Sequence, residues 1–420
     1  MNGHDSYPFP SPRPSPVSGE RGTSRCAIFA LTQTMDVDVI SLFEPESGVR
    51  ELDLVRAVLQ SGRWGDGPMV EAFESAFAGW AGREHAVAVG SGTLGCWITL
   101  RALGIGPGDE VICTAHTWHQ VAQAITLAGA TPVFADINYW TGSLSPEKAA
   151  LKISPHTRAI LAGNTNGHPA AWEALRQLAD AHDLPLIEDS TEAFGSRYQG
   201  QVVGTFGDVS VFDFSAPCAL CTGEGGMLVT DNSALVHELR YLRQRRLADR
   251  ASVSIGSRVP LQAGMSELTA ALGLAQLAGL DDRLAARQQV VAWYHEQMQS
   301  FEGIKPPYIG QGVDEVHWML YVVHLGKRFS GSARAQMMDD LLSCGVETAA
   351  YSHPLHQQFY YMNTGEAAGQ RRGVLIDTDR IGDRALALPL HTHLDEEQVQ
   401  YIVKTLKDTA SNVGAGAAIY

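Results

Sequence analysis

Apolar residues fall into two kinds of block along this chain. Short runs at 85–89, 110–114, 131–136, 158–162, 184–188 and 209–214 are rich in Val, Ile, Leu and Ala and bounded by Gly, Asp or Pro; they read as strands. Between them lie stretches whose apolar positions recur every three or four residues. These predict helices at 51–61 (Leu52, Val55, Val58 and Leu59), 70–81, 94–103 and 233–247. Short apolar strands alternating with helices predict a mostly parallel central sheet with helices on both faces, an α/β fold. A long helix over 271–301 then leads to a different pattern: strand 320–325, helix 333–344, strand 346–350 and helix 396–406. The expected organisation is a large α/β domain over 36–300 and a smaller C-terminal α+β domain over 301–420. Residues 1–35, rich in Pro, Ser and Gly, bury too little apolar surface to fold and read as a flexible tail.

The net charge of −15 argues against a nucleic-acid or anionic-membrane partner, since both need clustered Lys and Arg. No apolar run reaches about 18 residues, so no membrane span is expected. The six Cys make no disulfide framework, and the start of the chain has no signal-peptide pattern; reduced thiols and a cytoplasmic location follow as expectations. Cys218 and Cys221 form a Cys-x-x-Cys pair without a second pair at zinc spacing, so no metal is expected.

Four stretches carry candidate chemistry. The strand at 85–89 runs through Gly90-Ser91-Gly92-Thr93 into a helix, an arrangement that aims free N–H groups and the helix dipole at an anion; the same residues also make an ordinary helix cap. Trp118 and His119 start the helix that follows strand 110–114, and the polar loop after strand 158–162 offers Asn166 and His168. The fourth stretch, 187–226, places Glu188 and Asp189 at the end of a strand, where α/β proteins bind ligands. It then passes Glu192 and Asp213 to a tight turn, TGEGG.

That fourth stretch, through IEDSTEAFGS, GTFGDVSVFDF and TGEGG, resembles the DegT-like sugar aminotransferases. These are pyridoxal phosphate (PLP) proteins of fold type I, and the likeness extends over about residues 45–408. The resemblance implies a PLP-transferase fold type I, a homodimer with its active site at the subunit interface, and a small-molecule substrate such as a nucleotide-linked sugar or cyclitol. It also implies roles. Asp189 pairs with the pyridine nitrogen, Trp118 stacks on the ring, and Ser91, Gly92 and Thr93 hold the phosphate. Glu192 stands where a Gln approaches the ring hydroxyl. His356, in YSHPLHQ, lies in a segment over the active site.

Three positions depart from that pattern. The family's Schiff-base Lys, four residues before the Thr of TGEGG, is here Cys218, and no Lys occurs between Lys152 and Lys305. The Ser that donates to the phosphate is Asp213, and the Asn that reaches the neighbouring subunit's phosphate is Gln262. A thiol cannot anchor an aldehyde as an imine or exchange it with an amine. The leading expectation is therefore an enzyme without a cofactor, in which Cys218, activated by His119, works with Asp189 and Glu192 as acid/base groups. In the first alternative the site holds PLP, or its amine form PMP, non-covalently. In the second the chain is a catalytically silent homologue that binds a product or pairs with an active subunit.

Overall fold

The computed structural model describes residues 39–65, 67–243, 259–299, 303–362 and 374–417. The expected tail over 1–35 lies outside the described residues, as do Arg245 and Arg246 at the end of predicted helix 233–247. In chain order the elements begin with α1 (Val49–Ser61), α2 (Pro68–Ala81), β1 (His85–Val89), α3 (Gly92–Ala102) and β2 (Glu110–Thr114). There follow α4 (His119–Leu127), β3 (Thr131–Ala135), α5 (Pro146–Ala150), β4 (Thr157–Gly163), α6 (Trp172–Ala181) and β5 (Leu186–Asp189). A small ribbon, β6 (Arg197–Tyr198) and β7 (Gln201–Val202), precedes β8 (Val209–Asp213), β9 (Gly226–Thr230) and α7 (Ser233–Arg243).

The central sheet has the order β1-β9-β8-β5-β4-β2-β3. Strands β8 through β3 pair in parallel, and β9 is antiparallel to both of its neighbours. Both faces are apolar because alternate residues point to opposite sides. Strand β1 sends Val87 and Val89 toward α3, α4 and α7, and Ala86 and Ala88 toward Phe73 and Phe77 of α2. Strand β2 likewise sends Val111 and Cys113 one way and Ile112 the other, against Trp172 and Leu175 of α6.

A second sheet is wholly antiparallel. Its strands β10 (Ile304–Lys305), β12 (Tyr321–Leu325), β13 (Ala349–Ala350) and β14 (Ala385–Leu388) lie in the order β10-β12-β14-β13, while β11 (Val313–Glu315) joins the β6–β7 ribbon. Val323, Leu325, Leu386 and Leu388 form one core with the helices 280–297 and 396–417. A charged knot ties this half to the central sheet. Asp136, just after β3, accepts from Lys148, from the Thr378 hydroxyl and from the amides of Asp377 and Thr378, and Lys148 also bonds Asp377 at 2.6 Å. Those donors lower the Asp136 pKa against the opposing effect of burial.

The strand expected over 346–350 is only Ala349–Ala350 and the helix expected over 396–406 runs to Ala417; two other departures have identifiable reasons. The strand predicted at 184–188 starts at Leu186, because the Leu184 amide closes the end of α6 on the Ala179 carbonyl (2.9 Å), with Asp183 in the left-handed region. The long helix expected over 271–301 is two helices, Glu267–Ala278 and Leu280–Gln297, separated at Gly279. The Arg283 guanidinium folds back over that glycine onto the Gln276 carbonyl, and a Cβ at 279 would lie 2.9 Å from it.

Candidate active site

The parallel strands end on one edge of the central sheet, and their last residues build the site. On β5 two adjacent acids point to opposite faces. Glu188 is fully buried and saturated. It accepts from the Asn164 amide, the Ser190 and Ser210 hydroxyls, and the backbone N–H groups of Gly204, Phe206 and Gly207, all at 2.7–3.1 Å. It staples the 204–207 loop to the sheet.

Asp189 has the opposite character. It is 6 % exposed, yet among the described residues only Thr191 gives it hydrogen bonds, the amide at 3.1 Å. Burial lifts its pKa to about 6, Thr191 pulls the other way, and nearby Asp213 and Glu188 add to the rise. A buried carboxylate this poor in donors is a ready partner for a cationic N–H.

Glu192 lies next to it. Its carboxylate accepts from the Asn166 amide and from the Tyr351 hydroxyl, and the Trp118 side chain also reaches it. Burial outweighs these bonds and raises its pKa to about 8, so Glu192 carries a proton at neutral pH. The folded protein then keeps a proton that the unfolded chain, with an ordinary pKa of 4.5, releases. Stability therefore falls as pH rises from about 4.5 to about 8, and Asp189 adds to the fall in the lower part of that window. Thermal melts at pH 5 and pH 8 should show this, and Glu192→Gln, which cannot ionise, should flatten the dependence. An unchanged slope in that variant would remove Glu192 as its source.

Trp118 caps the start of α4 and packs among Ile137, Met319, Leu320 and Tyr351. His116, which the sequence did not single out, stacks edge-on against Tyr351 and is kept neutral by burial, its pKa near 4.

The expected phosphate cradle is present as a backbone shape. Ser91 caps α3 by accepting from the Leu94 amide at 3.2 Å, with Gly92 buried and Thr93 partly buried behind it. The Gly92 amide, however, donates to Asp213 Oδ2 at 2.6 Å. Asp213 Oδ1 accepts from the Ser215 amide at 2.8 Å and from the Ser215 hydroxyl.

The expected cysteine chemistry does not match this geometry. Cys218 is 3 % exposed and sits in the apolar cluster of Phe73, Phe214, Leu220 and Met265. Its thiol donates to the Leu220 carbonyl at 3.0 Å and toward that of Asp213 at 3.5 Å. Burial drives its pKa far up, with Asp213 and Cys221 adding to the rise, so no thiolate forms near neutral pH. His119 is exposed and is not among the groups acting on the thiol. Cys218→Ala is expected to cost about 1 kcal/mol of stability and to leave ligand affinity unchanged, as read by melting and calorimetric titration. A large loss of affinity would return Cys218 to the site.

Two further histidines also differ from expectation. His168 accepts the Gly310 amide at Nε2 (2.9 Å) and bonds the Pro169 carbonyl through Nδ1 (2.7 Å), so it ties loops together and has no nitrogen left for a substrate. Asn166 brackets the backbone of Leu320 with its amide. His356 pairs with Asp379 at 3.0 Å. Gln262 is exposed, one residue before Ala263, whose carbonyl receives the Gly90 amide at 2.7 Å.

The model of the DegT/DnrJ/EryC1/StrS aminotransferase family matches residues 45–407. The GDP-perosamine synthase of Caulobacter vibrioides is 32% identical over 376 residues, covering 88% of this chain and 98% of that one. Among solved structures, DesV of S. venezuelae, in complex with a ketimine intermediate, superposes with a TM-score of 0.77 at 31% identity, covering 86% of this chain and 94% of its own. Spr1654 of Streptococcus pneumoniae, a candidate sugar aminotransferase in its PMP form, gives 0.82 at 25% identity, with 89% and 98% covered. The fold is therefore that of PLP-dependent aminotransferases. The expectation of a site without a cofactor is overturned by the same findings, since the matching structures carry PMP or a ketimine. No helix among the described residues is long and apolar enough to cross a membrane.

Proposed function

The chain belongs to the DegT/DnrJ/EryC1/StrS aminotransferase family, and from that premise we propose that it is an enzyme of sugar or related natural-product biosynthesis that holds a vitamin B6 ring non-covalently. The observation that carries this reading is Asp189, a buried carboxylate at the strand edge whose only donors among the described residues come from Thr191.

The residues fit the ring. Asp189 would hold the proton on the pyridine nitrogen, and that N–H would relieve the strain of a buried, under-bonded carboxylate. Glu192, protonated and oriented by Tyr351 and Asn166, offers a proton to a ring hydroxyl or to substrate. Trp118 supplies an aromatic wall. The covalent link is what the residues do not fit, because the TGEGG spacing puts Cys218 where the family's Lys stands and its thiol faces the core. When bound, the ring supplies the electron sink for amine and carbonyl exchange; the chain binds it, orients it and keeps water from it.

The substrate class carried over from the relatives is a nucleotide-linked sugar, and the assembly carried over is a homodimer, with Gln262 exposed beside the Gly90 loop as the point of contact with a second subunit. Titration of the protein with pyridoxal, pyridoxamine and their phosphates, followed by induced circular dichroism of the ligand band, tests the reading. At least one of the four should give a saturable signal at one ligand per chain. No signal from any of them would sink it.

A further inference from the structure

The phosphate end of this site differs from its ring end. The N-terminus of α3 presents the Gly92 amide, but that donor is spent on Asp213 at 2.6 Å. Asp213 is not free to leave. Ser215 holds its other oxygen through both amide and hydroxyl, and its own amide donates to the Thr191 hydroxyl at 3.1 Å. The two segments also touch: a Cβ placed on Gly92 would come within 2.6 Å of the Asp213 Cβ, so nothing fits between them. Asp213 is 4 % exposed, and among the described residues no Lys or Arg forms an ion pair with it.

A carboxylate thus occupies the place where an anion would sit at this helix terminus. A phosphate dianion brought there would lose the amide and face a like charge in a poorly solvated pocket. A neutral hydroxymethyl group would instead donate its O–H to the same carboxylate. We infer that Asp213 closes the anion cradle and makes the site select the phosphate-free form of the B6 ring, pyridoxamine over pyridoxamine phosphate. The inference rests on the B6 reading proposed above and deepens it.

Calorimetric titration of the full chain with pyridoxamine and with PMP tests it. The wild-type protein should bind pyridoxamine roughly tenfold or more tighter than PMP. Asp213→Ser, which removes the charge and frees the Gly92 amide, should strengthen PMP binding by roughly tenfold or more and leave pyridoxamine no tighter. Asp213→Asn keeps the shape and the acceptor for Gly92, so it serves where the Ser variant fails to fold, and it should narrow the preference. PMP binding as tight as pyridoxamine in the wild type, or a preference unmoved in both variants, overturns the role given to Asp213 and leaves the B6 reading standing. Absence of binding by either ligand in all three proteins overturns the B6 reading itself, and this inference with it.

Discussion

Replacing Glu188 by Ala should cost about 3–5 kcal/mol of stability, the largest loss expected from any single change near the site. The reason is the number of groups that would lose their partner. Three backbone N–H groups in the 204–207 loop, two hydroxyls and the Asn164 amide all point at this one buried carboxylate. Removing it leaves buried donors with no acceptor, and water has no route to replace it at a fully buried position. Asn164 would lose one of its four side-chain bonds as well, although Ser190 would still accept from its amide and the Ala170 amide and the Trp172 indole would still reach its carbonyl oxygen. Chemical denaturation of the Ala and Gln variants measures the effect. The Gln variant keeps one acceptor and should fall between wild type and Ala. A loss below about 1 kcal/mol for Ala would mean that the loop finds other acceptors.

Asp189→Asn should weaken B6-ring binding by roughly a hundredfold while changing stability little. The two adjacent acids therefore separate cleanly. Glu188 has its donors within the protein, so its loss is felt in folding. Asp189 has only those of Thr191 among the described residues, so its loss is felt in ligand affinity. An Asn of the same shape cannot hold a protonated pyridine nitrogen by charge. Burial already lifts the Asp189 pKa to about 6, so this variant is expected to be slightly more stable without ligand above that pH, where the native carboxylate is charged and poorly solvated. Calorimetric titration gives the affinity and thermal melting gives the stability. Equal affinity in the two proteins would remove Asp189 from the ring's partners.

The sheet was legible in the sequence because its signal is local. Short apolar runs at 85–89, 110–114 and 209–214 specify buried strands, and the observed strands follow them within a residue. What the sequence hid was direction. Glu188 and Asp189 look alike as letters, and only strand pairing shows which of them meets the loop amides of Gly204, Phe206 and Gly207. Cys218 stood at a position full of chemical meaning, but the meaning depended on which way its thiol faced, and Phe73, Phe214 and Met265 close around it. His168 looked like a polar loop residue facing a ligand, and its partner Gly310 lies 142 residues away, beyond the reach of any local pattern. Tyr351 opens the segment YSHPLHQ expected over the site, but its bond to Glu192, 159 residues away, has no local signal either.

The account as a whole depends on a ring that is bound and never tethered. Native mass spectrometry of the protein incubated with pyridoxal or its phosphate, repeated under denaturing conditions after borohydride reduction, tests this most directly. One ligand per folded chain, together with an unmodified chain mass after reduction and denaturation, is the predicted result. A reduced, covalently fixed ligand on any lysine, or a folded chain that carries no ligand at all, would contradict it.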